Sequence, residues 1–424
     1  MKIFFWLMVM SAFIGAEVIA IDLGFAQLSL FRGTLFLLSF HLLCSYLYRG
    51  VRLRVPGMGL QARAIKFYFI WFVYSFLSLA WVQDYQRWLK AIFFVGSGFL
   101  CIWVTSHYLK TKNDIVNAFG VMWVMVVLHN VIGWTELLTG VYRFVDVTRF
   151  DRYNQFGNNP SLRVPISMFS NPNDFATFLL FGIFIAWMLF FNIKSRAFRL
   201  VNAFVALSST VLLMRTLSRA NILALICGSV ILIYMRYFRR INVQGLVLII
   251  AVSGALTLFP SVIANLLYKV SDKIYFSFDG GSDFIRLNLI RNGLYFLTRT
   301  FGLGTGAGNI EHWMINESKY YVGAIENIHN WWAEILVGYG LLIFTGYLYI
   351  FFRMAKVLFT SHLKCNNQFI KNTSLSLFCI MIAFSIGSVS SSSNIPTQWL
   401  WLFWGIVIAY IGVSEKTIET AKSA

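Results

Sequence analysis

The residues best suited to chemistry fall in four short clusters. Asn327-Ile328-His329-Asn330-Trp331-Trp332 places an imidazole and a carboxamide just ahead of an apolar run. An imidazole ordinarily titrates near pH 6.5, so His329 can act as a general base, with Asn330 orienting it or holding a substrate hydroxyl. The plainer reading is a hydrogen-bonded interfacial histidine beside two anchoring tryptophans. A second pair, His129-Asn130, lies inside an apolar run, so the dipeptide alone specifies little. Leu217-Ser218-Arg219-Ala220, with Arg215 close by, opens another apolar run. A guanidinium at such a border needs an anion or water, and its planar fork suits bidentate capture of phosphate. A lipid phosphate would satisfy it as well as a substrate would. Gly302-Leu-Gly-Thr-Gly-Ala-Gly308-Asn309 has the alternation that lets backbone N–H groups approach an anion. It follows a helical pattern rather than a strand, so it is no nucleotide fingerprint, and a tight returning turn accounts for it equally. Phe169-Ser170-Asn171-Pro172-Asn173-Asp174, with Arg163 upstream, carries capping residues before an apolar run, and capping is the reading these types favour. Glu17, Glu136 and Glu334, near the ends of apolar runs, are candidates without an assignable role. Ser390–Ser393 and Asn394 could line a cavity or cap a helix.

These groups suit anion chemistry: holding a lipid diphosphate while a hydroxyl attacks the carbon attached to it. The sequence has no HExxH, no GxSxG, no carboxylate pair at helical spacing and no aspartate-rich divalent motif. The expected transfer therefore uses neither a metal nor another cofactor.

The elements that must position these residues are membrane helices. Of 424 residues, 58% are hydrophobic and 12% charged, against roughly 45–50% and about 25% in soluble domains. The five cysteines show no CxxC spacing, which excludes a zinc or disulfide framework. A net charge of +18 would suggest nucleic acid in a soluble chain, but membrane topology claims those charges first and no nucleic-acid partner is expected. A crossing helix needs about 20 mostly apolar residues. Twelve stretches qualify: 3–21, 30–48, 65–83, 88–107, 114–138, 174–192, 198–214, 220–236, 243–264, 331–352, 371–389 and 397–413. The expected fold is an all-α polytopic membrane protein of about 12 transmembrane helices, one transmembrane domain over residues 1–424. The first stretch reads as a retained span rather than a signal, because Lys2 is its only basic residue and its apolar run is too long.

Lys and Arg set the orientation. With the N-terminus inside, the inner segments and adjoining span ends hold twenty of them, and the four short outer loops hold five. That bias predicts both termini in the cytoplasm. Two longer outer segments break the pattern. The smaller, 139–173, carries Arg143, Arg149, Arg152 and Arg163; the larger, 265–330, carries six basic residues between the ninth and tenth spans. In the larger one, Leu287, Ile290, Leu294 and Leu297 recur at helical spacing with Arg286, Arg291 and Arg299 off that stripe. This predicts an amphipathic helix over 284–300 on the outer face.

In the order and spacing of these motifs the sequence resembles the O-antigen ligase and Wzy-type polysaccharide polymerase superfamily. The matching pieces are Asn171-Pro-Asn-Asp174, Ser218-Arg219-Ala220, Arg286 leading the loop helix, Gly302-x-Gly-x-Gly-x-Gly-Asn309, and His329-Asn330 followed by Gly338-x-Gly340-Leu-Leu. The resemblance covers about residues 170–350. It implies a plasma-membrane glycosyltransferase using an undecaprenyl-diphosphate-linked oligosaccharide donor on the outer face, with a glycan or lipid-core acceptor. A chain-length regulator could join it. It also implies that Arg219 and Arg286 bind the donor diphosphate and that His329 orients or deprotonates the acceptor hydroxyl, with inversion at the anomeric carbon. Arg163, Arg215, Arg291, Asn330, Asn309, Asn171 and Asn173 complete the expected substrate-binding set. Ala220 departs from the pattern, where Gly often follows the Arg. The motifs leave polymerase and ligase open, with polymerase slightly preferred. The competing class is a multi-span transporter or flippase for lipid-linked oligosaccharide. Such carriers show repeated halves and polar residues at the membrane midplane, whereas here the polar groups lie at span ends.

Overall fold

A backbone without water must satisfy its own N–H and C=O groups, so long apolar runs close into helices. The computed structural model describes residues 1–15, 18–48, 59–147, 160, 163–237, 282–323, 325–391 and 393–423. Its elements are α1 (Lys2–Ser11), β1 (Ala20–Asp22), β2 (Gln27–Ser29), α2 (Leu30–Tyr48), α3 (Gly59–Leu77), α4 (Tyr85–Tyr108), α5 (Lys112–Thr139) and α6 (Pro172–Asn192). There follow α7 (Arg196–Arg215), α8 (Arg219–Tyr237), α9 (Ser282–Arg299), α10 (Ile310–Asn316), α11 (Trp331–Lys364), α12 (Gln368–Gly387) and α13 (Gln398–Ser423). Ten of the described helices are long and apolar enough to cross a membrane, so the chain is a multi-pass membrane protein. α6 and α12 are the most buried and pack together, with α7 against α6 and α8 against α12.

Two of the twelve expected spans are not among those ten. The stretch 243–264 lies outside the described residues. The stretch 3–21 is not one crossing helix: α1 has 10 residues, about 15 Å at 1.5 Å per residue, half a bilayer core. The chain leaves it near Gly15, where a Cβ would lie 2.4 Å from the Met168 carbonyl oxygen. It then forms the antiparallel β1–β2 hairpin, the one departure from an all-α fold among the described residues. Its turn is fixed by Gly24 at φ +84° and by Gly24 N donating to Asp22 Oδ1 at 2.8 Å.

Helix starts follow local capping chemistry. Asn171 accepts from Asp174 N ahead of Pro172, Asn330 from Trp332 N and Ala333 N, and Thr111 with Asp114 closes a capping box on α5. The tryptophans expected to anchor in the interface instead build core. Trp331 is 3% exposed and donates from Nε1 to the Tyr347 hydroxyl at 2.9 Å, within a cluster that includes Trp71 and Trp401.

α9 forms where expected but buries another face. Leu287 and Leu294 are exposed, whereas Leu289, Asn292 and Phe296 are fully buried. They pack on Ile310, Trp313, Met314, Ile328 and Val337, a small second core above the start of α11. The asparagines decide the face. Asn292 Oδ1 accepts from Lys319 N and Tyr320 N at 2.9 Å and its Nδ2 donates to Tyr320 O, while Asn288 Nδ2 donates to Tyr321 O. The Asn292 carboxamide, bonded through both its oxygen and its nitrogen, buries at little cost, so the periodicity of apolar residues alone points to the wrong stripe.

Candidate functional site

Nine segments converge at one end of the helix bundle around a cavity of about 820 Å³. The end of α1 and the hairpin supply Phe13, Asp22 and Phe25; α2 and α4 supply Arg32, Arg87, Lys90 and Phe94. The starts of α6 and α11 supply Asp174, Glu334 and Tyr339. Residues 308–311, 327–328 and 393–399 close it, with Glu311, Asn327 and Trp399 in the wall.

The glycine segment is what brings the loop back to this wall. Gly302, Gly304, Gly306 and Gly308 all have positive φ. At Gly304 a Cβ would sit 2.5 Å from Gly340 N, and at Gly308 it would sit 2.4 Å from Arg87 O. Gly340 itself breaks α11 at φ 75°, ψ 179°. The break frees backbone groups that the turn takes up: Thr305 N donates to Val337 O at 2.8 Å and Leu341 N to Gly302 O at 2.9 Å. The glycines therefore serve close backbone packing. Asn309 is consumed the same way, accepting from Gln83 N and Asp84 N and donating to Asp84 O and Ala307 O.

His329 sits one residue past the cavity-lining Asn327-Ile328 pair, half-buried, with φ +49°. A left-handed non-glycine residue costs about 1–2 kcal/mol and must be held by its surroundings. Leu217, directly before Ser218-Arg219, and Phe301, directly before the glycine turn, share that conformation. Burial pushes the His329 pKa below its ordinary value, and the nearby Arg286 guanidinium pushes it down further. The ring is thus neutral near pH 7 and available as an acceptor. Among the described residues no group hydrogen-bonds it.

Arg219 opens α8 with an exposed side chain. Its neighbours tie that helix start to the others. Asn221 Nδ2 donates to Ser218 Oγ at 2.9 Å, to Ser390 Oγ at 3.1 Å and to Asn173 O at 3.4 Å, and Asn221 Oδ1 accepts from Thr177. Trp331 N donates to Ser388 O at 3.2 Å, joining the start of α11 to the same serine-rich segment. The Ser218-Arg219, Asn171–Asp174 and His329-Asn330 motifs are therefore linked through Asn221 and residues 388–394.

Other expected contributors lie apart or are occupied. Arg163 Nη1 donates to Leu137 O and Leu138 O at the C-terminal end of α5, and Arg215 Nη2 approaches Pro160 O and Arg163 O at 3.4 and 3.5 Å. Arg291 stands over the Tyr320 ring at 5.8 Å. Asn171 and Asn330 are helix caps, and Asn173 contributes its carbonyl. None of the ten expected residues is in the cavity wall, whose cations are Arg32, Arg87 and Lys90. Arg87 is paired with Asp84 at 3.3 Å, Glu326 at 3.4 Å and Glu311. Arg32 donates to Gln27 O and Pro396 O and stacks on Phe94 at 4.6 Å. Sequence reasoning counted these only as basic residues at the short-loop ends of spans; their position beside such ends was the available signal. His129 and Glu136, by contrast, are structural. His129 Nδ1 pairs with Ser167 Oγ at 2.7 Å and Nε2 with Phe13 O at 2.9 Å; Glu136 Oε2 accepts from Ile166 N and Ser167 N.

Residues 203–348 match the family model described as O-antigen ligase. The chain is also similar to the teichuronic acid biosynthesis protein TuaE of Bacillus subtilis (strain 168), at 27% identity over 97% of this chain and 84% of that protein. The matched segment runs from α7 through the first half of α11 and contains Arg219, Arg286, the glycine turn and His329, so the O-antigen ligase family signature read from the motifs stands over residues 203–348.

Proposed function

We propose that this protein is a glycosyltransferase that moves an undecaprenyl-diphosphate-linked glycan onto an acceptor at the outer face of the plasma membrane. Polymerisation is slightly preferred over ligation. In this reading residues 1–424 form one transmembrane body with outer loops 139–173 and 265–330, and both termini lie inside. Arg219 and Arg286 hold the donor diphosphate, their planar forks matching its oxygens. The acceptor hydroxyl attacks the anomeric carbon opposite the diphosphate. The carbon–oxygen bond to phosphate breaks, undecaprenyl diphosphate leaves with the electron pair, and the hydroxyl proton passes to His329.

The observation that carries this reading is the position of His329, directly after the cavity-lining Asn327-Ile328 pair and near enough to Arg286 for the guanidinium to disfavour its protonation. An imidazole held neutral by burial and by a guanidinium is a weak base while the site is empty. A diphosphate on Arg286 offsets that guanidinium and strengthens the base when the donor is in place. The test is reconstitution of the chain alone in liposomes carrying lipid-linked oligosaccharide. Longer glycan with released undecaprenyl diphosphate supports transfer; movement of lipid-linked sugar across the bilayer without chain growth overturns it in favour of a carrier.

A further inference from the structure

Transfer at His329 leaves two buried carboxylates unused. Asp174, in the first turn of α6, and Glu334, in the first turn of α11, both line the cavity. Glu334 accepts from Ser393 Oγ and from Asn394 N at 3.3 Å. Asp174 Oδ2 accepts from Asn171 Nδ2 at 2.5 Å, and the Ser391 hydroxyl sits beside the same carboxylate. Beside the pair, Asn394, 3% exposed, carries a side-chain nitrogen without a partner among the described residues. Polar atoms left unpaired in a buried site carry a desolvation penalty that a ligand with matching groups removes.

The rest of the wall narrows the ligand class. Phe169, Tyr339 and Trp399 present aromatic surface, and the volume of about 820 Å³ falls in the range of organic-ligand sites. A sugar ring offers apolar C–H faces and hydroxyl groups around its edge, which suits aromatic rings and carboxyl groups together. The arginines assigned to the diphosphate lie outside this wall. We infer that Asp174 and Glu334 hydrogen-bond the hydroxyls of the acceptor glycan and hold it in the cavity so that its attacking hydroxyl faces His329. Both are positioning residues, and the inference rests on the transfer reading above.

The test uses the full chain in liposomes, with lipid-linked oligosaccharide extracted from source cells lacking this protein as donor. The same oligosaccharide, freed of lipid, serves as the varied acceptor. Asp174→Asn and Glu334→Gln are each expected to raise the acceptor KM about tenfold, the loss of one charged hydrogen bond, with kcat and donor KM nearly unchanged. Asp174→Glu should recover part of the loss. Ser170→Trp, at an exposed lining position, narrows the cavity without touching either acid and should give the same acceptor-selective defect if the first two variants fold poorly. An unchanged acceptor KM in the variants, or an equal rise for donor and acceptor, overturns the inference. An inactive wild type overturns the transfer reading itself.

Discussion

At the residue scale the account depends on one imidazole and two guanidinium groups. His329→Ala, Arg286→Ala and Arg219→Ala should each reduce glycan transfer by at least a hundredfold, at the lower end of what acid–base groups contribute, with membrane abundance unchanged on immunoblots. Arg219→Lys should recover little, because an ammonium lacks the planar fork. The His329 environment gives a pH prediction with a definite sign. Burial and Arg286 both disfavour the imidazolium, so the ring stays neutral, and reactive toward diethyl pyrocarbonate, to a pH below its ordinary 6.5. The acid limb of its modification rate, taken as the difference from His329→Gln, should move upward in Arg286→Gln. A limb that does not move would separate the two residues. His329 and the arginines stand out in the sequence because their types are unusual beside apolar runs. The joint placement of Asp174 and Glu334 is not legible there, since their shared cavity joins residues 160 positions apart, and spacing along a chain carries no such information.

At the scale of elements, the glycine turn and the break in α11 act as one joint. Gly304→Ala and Gly340→Ala each force a Cβ against backbone atoms 2.5 and 2.4 Å away at positive φ. Left-handed strain alone is worth about 1–3 kcal/mol, so both variants should lower the unfolding temperature and the amount of protein in the membrane. Gly338→Ala meets only the Ile310 side chain at 3.2 Å and should be mild. Thermal unfolding followed by loss of monodisperse protein checks the series; equal stability of all three would refute the joint. The crossing helices were legible because about twenty apolar residues have one solution in lipid. The buried face of α9 was not, because Asn288 and Asn292 are polar by type and bury only through partners at residues 319–321. The first stretch misled for a related reason: its apolar count fits a span, but its chain turns into a cavity-closing hairpin after ten helical residues.

At the scale of the whole molecule, alternating helices bring the ends of α1, α3, α5, α7 and α12 to the same face as the starts of α2, α4, α6, α8, α11 and α13, and the cavity opens there. The bias of Lys and Arg predicts that this face is the outer one. In a chain stripped of its five native cysteines, Tyr321→Cys should react with a membrane-impermeant maleimide from outside intact cells, and Ser195→Cys only after permeabilisation; the reverse pattern would invert the topology. The central claim is sugar transfer with loss of the lipid diphosphate, and its most direct measurement is stoichiometry in liposomes containing this chain alone. The account predicts one undecaprenyl diphosphate released for each new glycosidic bond, and neither product with His329→Ala. Glycosidic bonds formed without that release, or full activity in the variant, would contradict it.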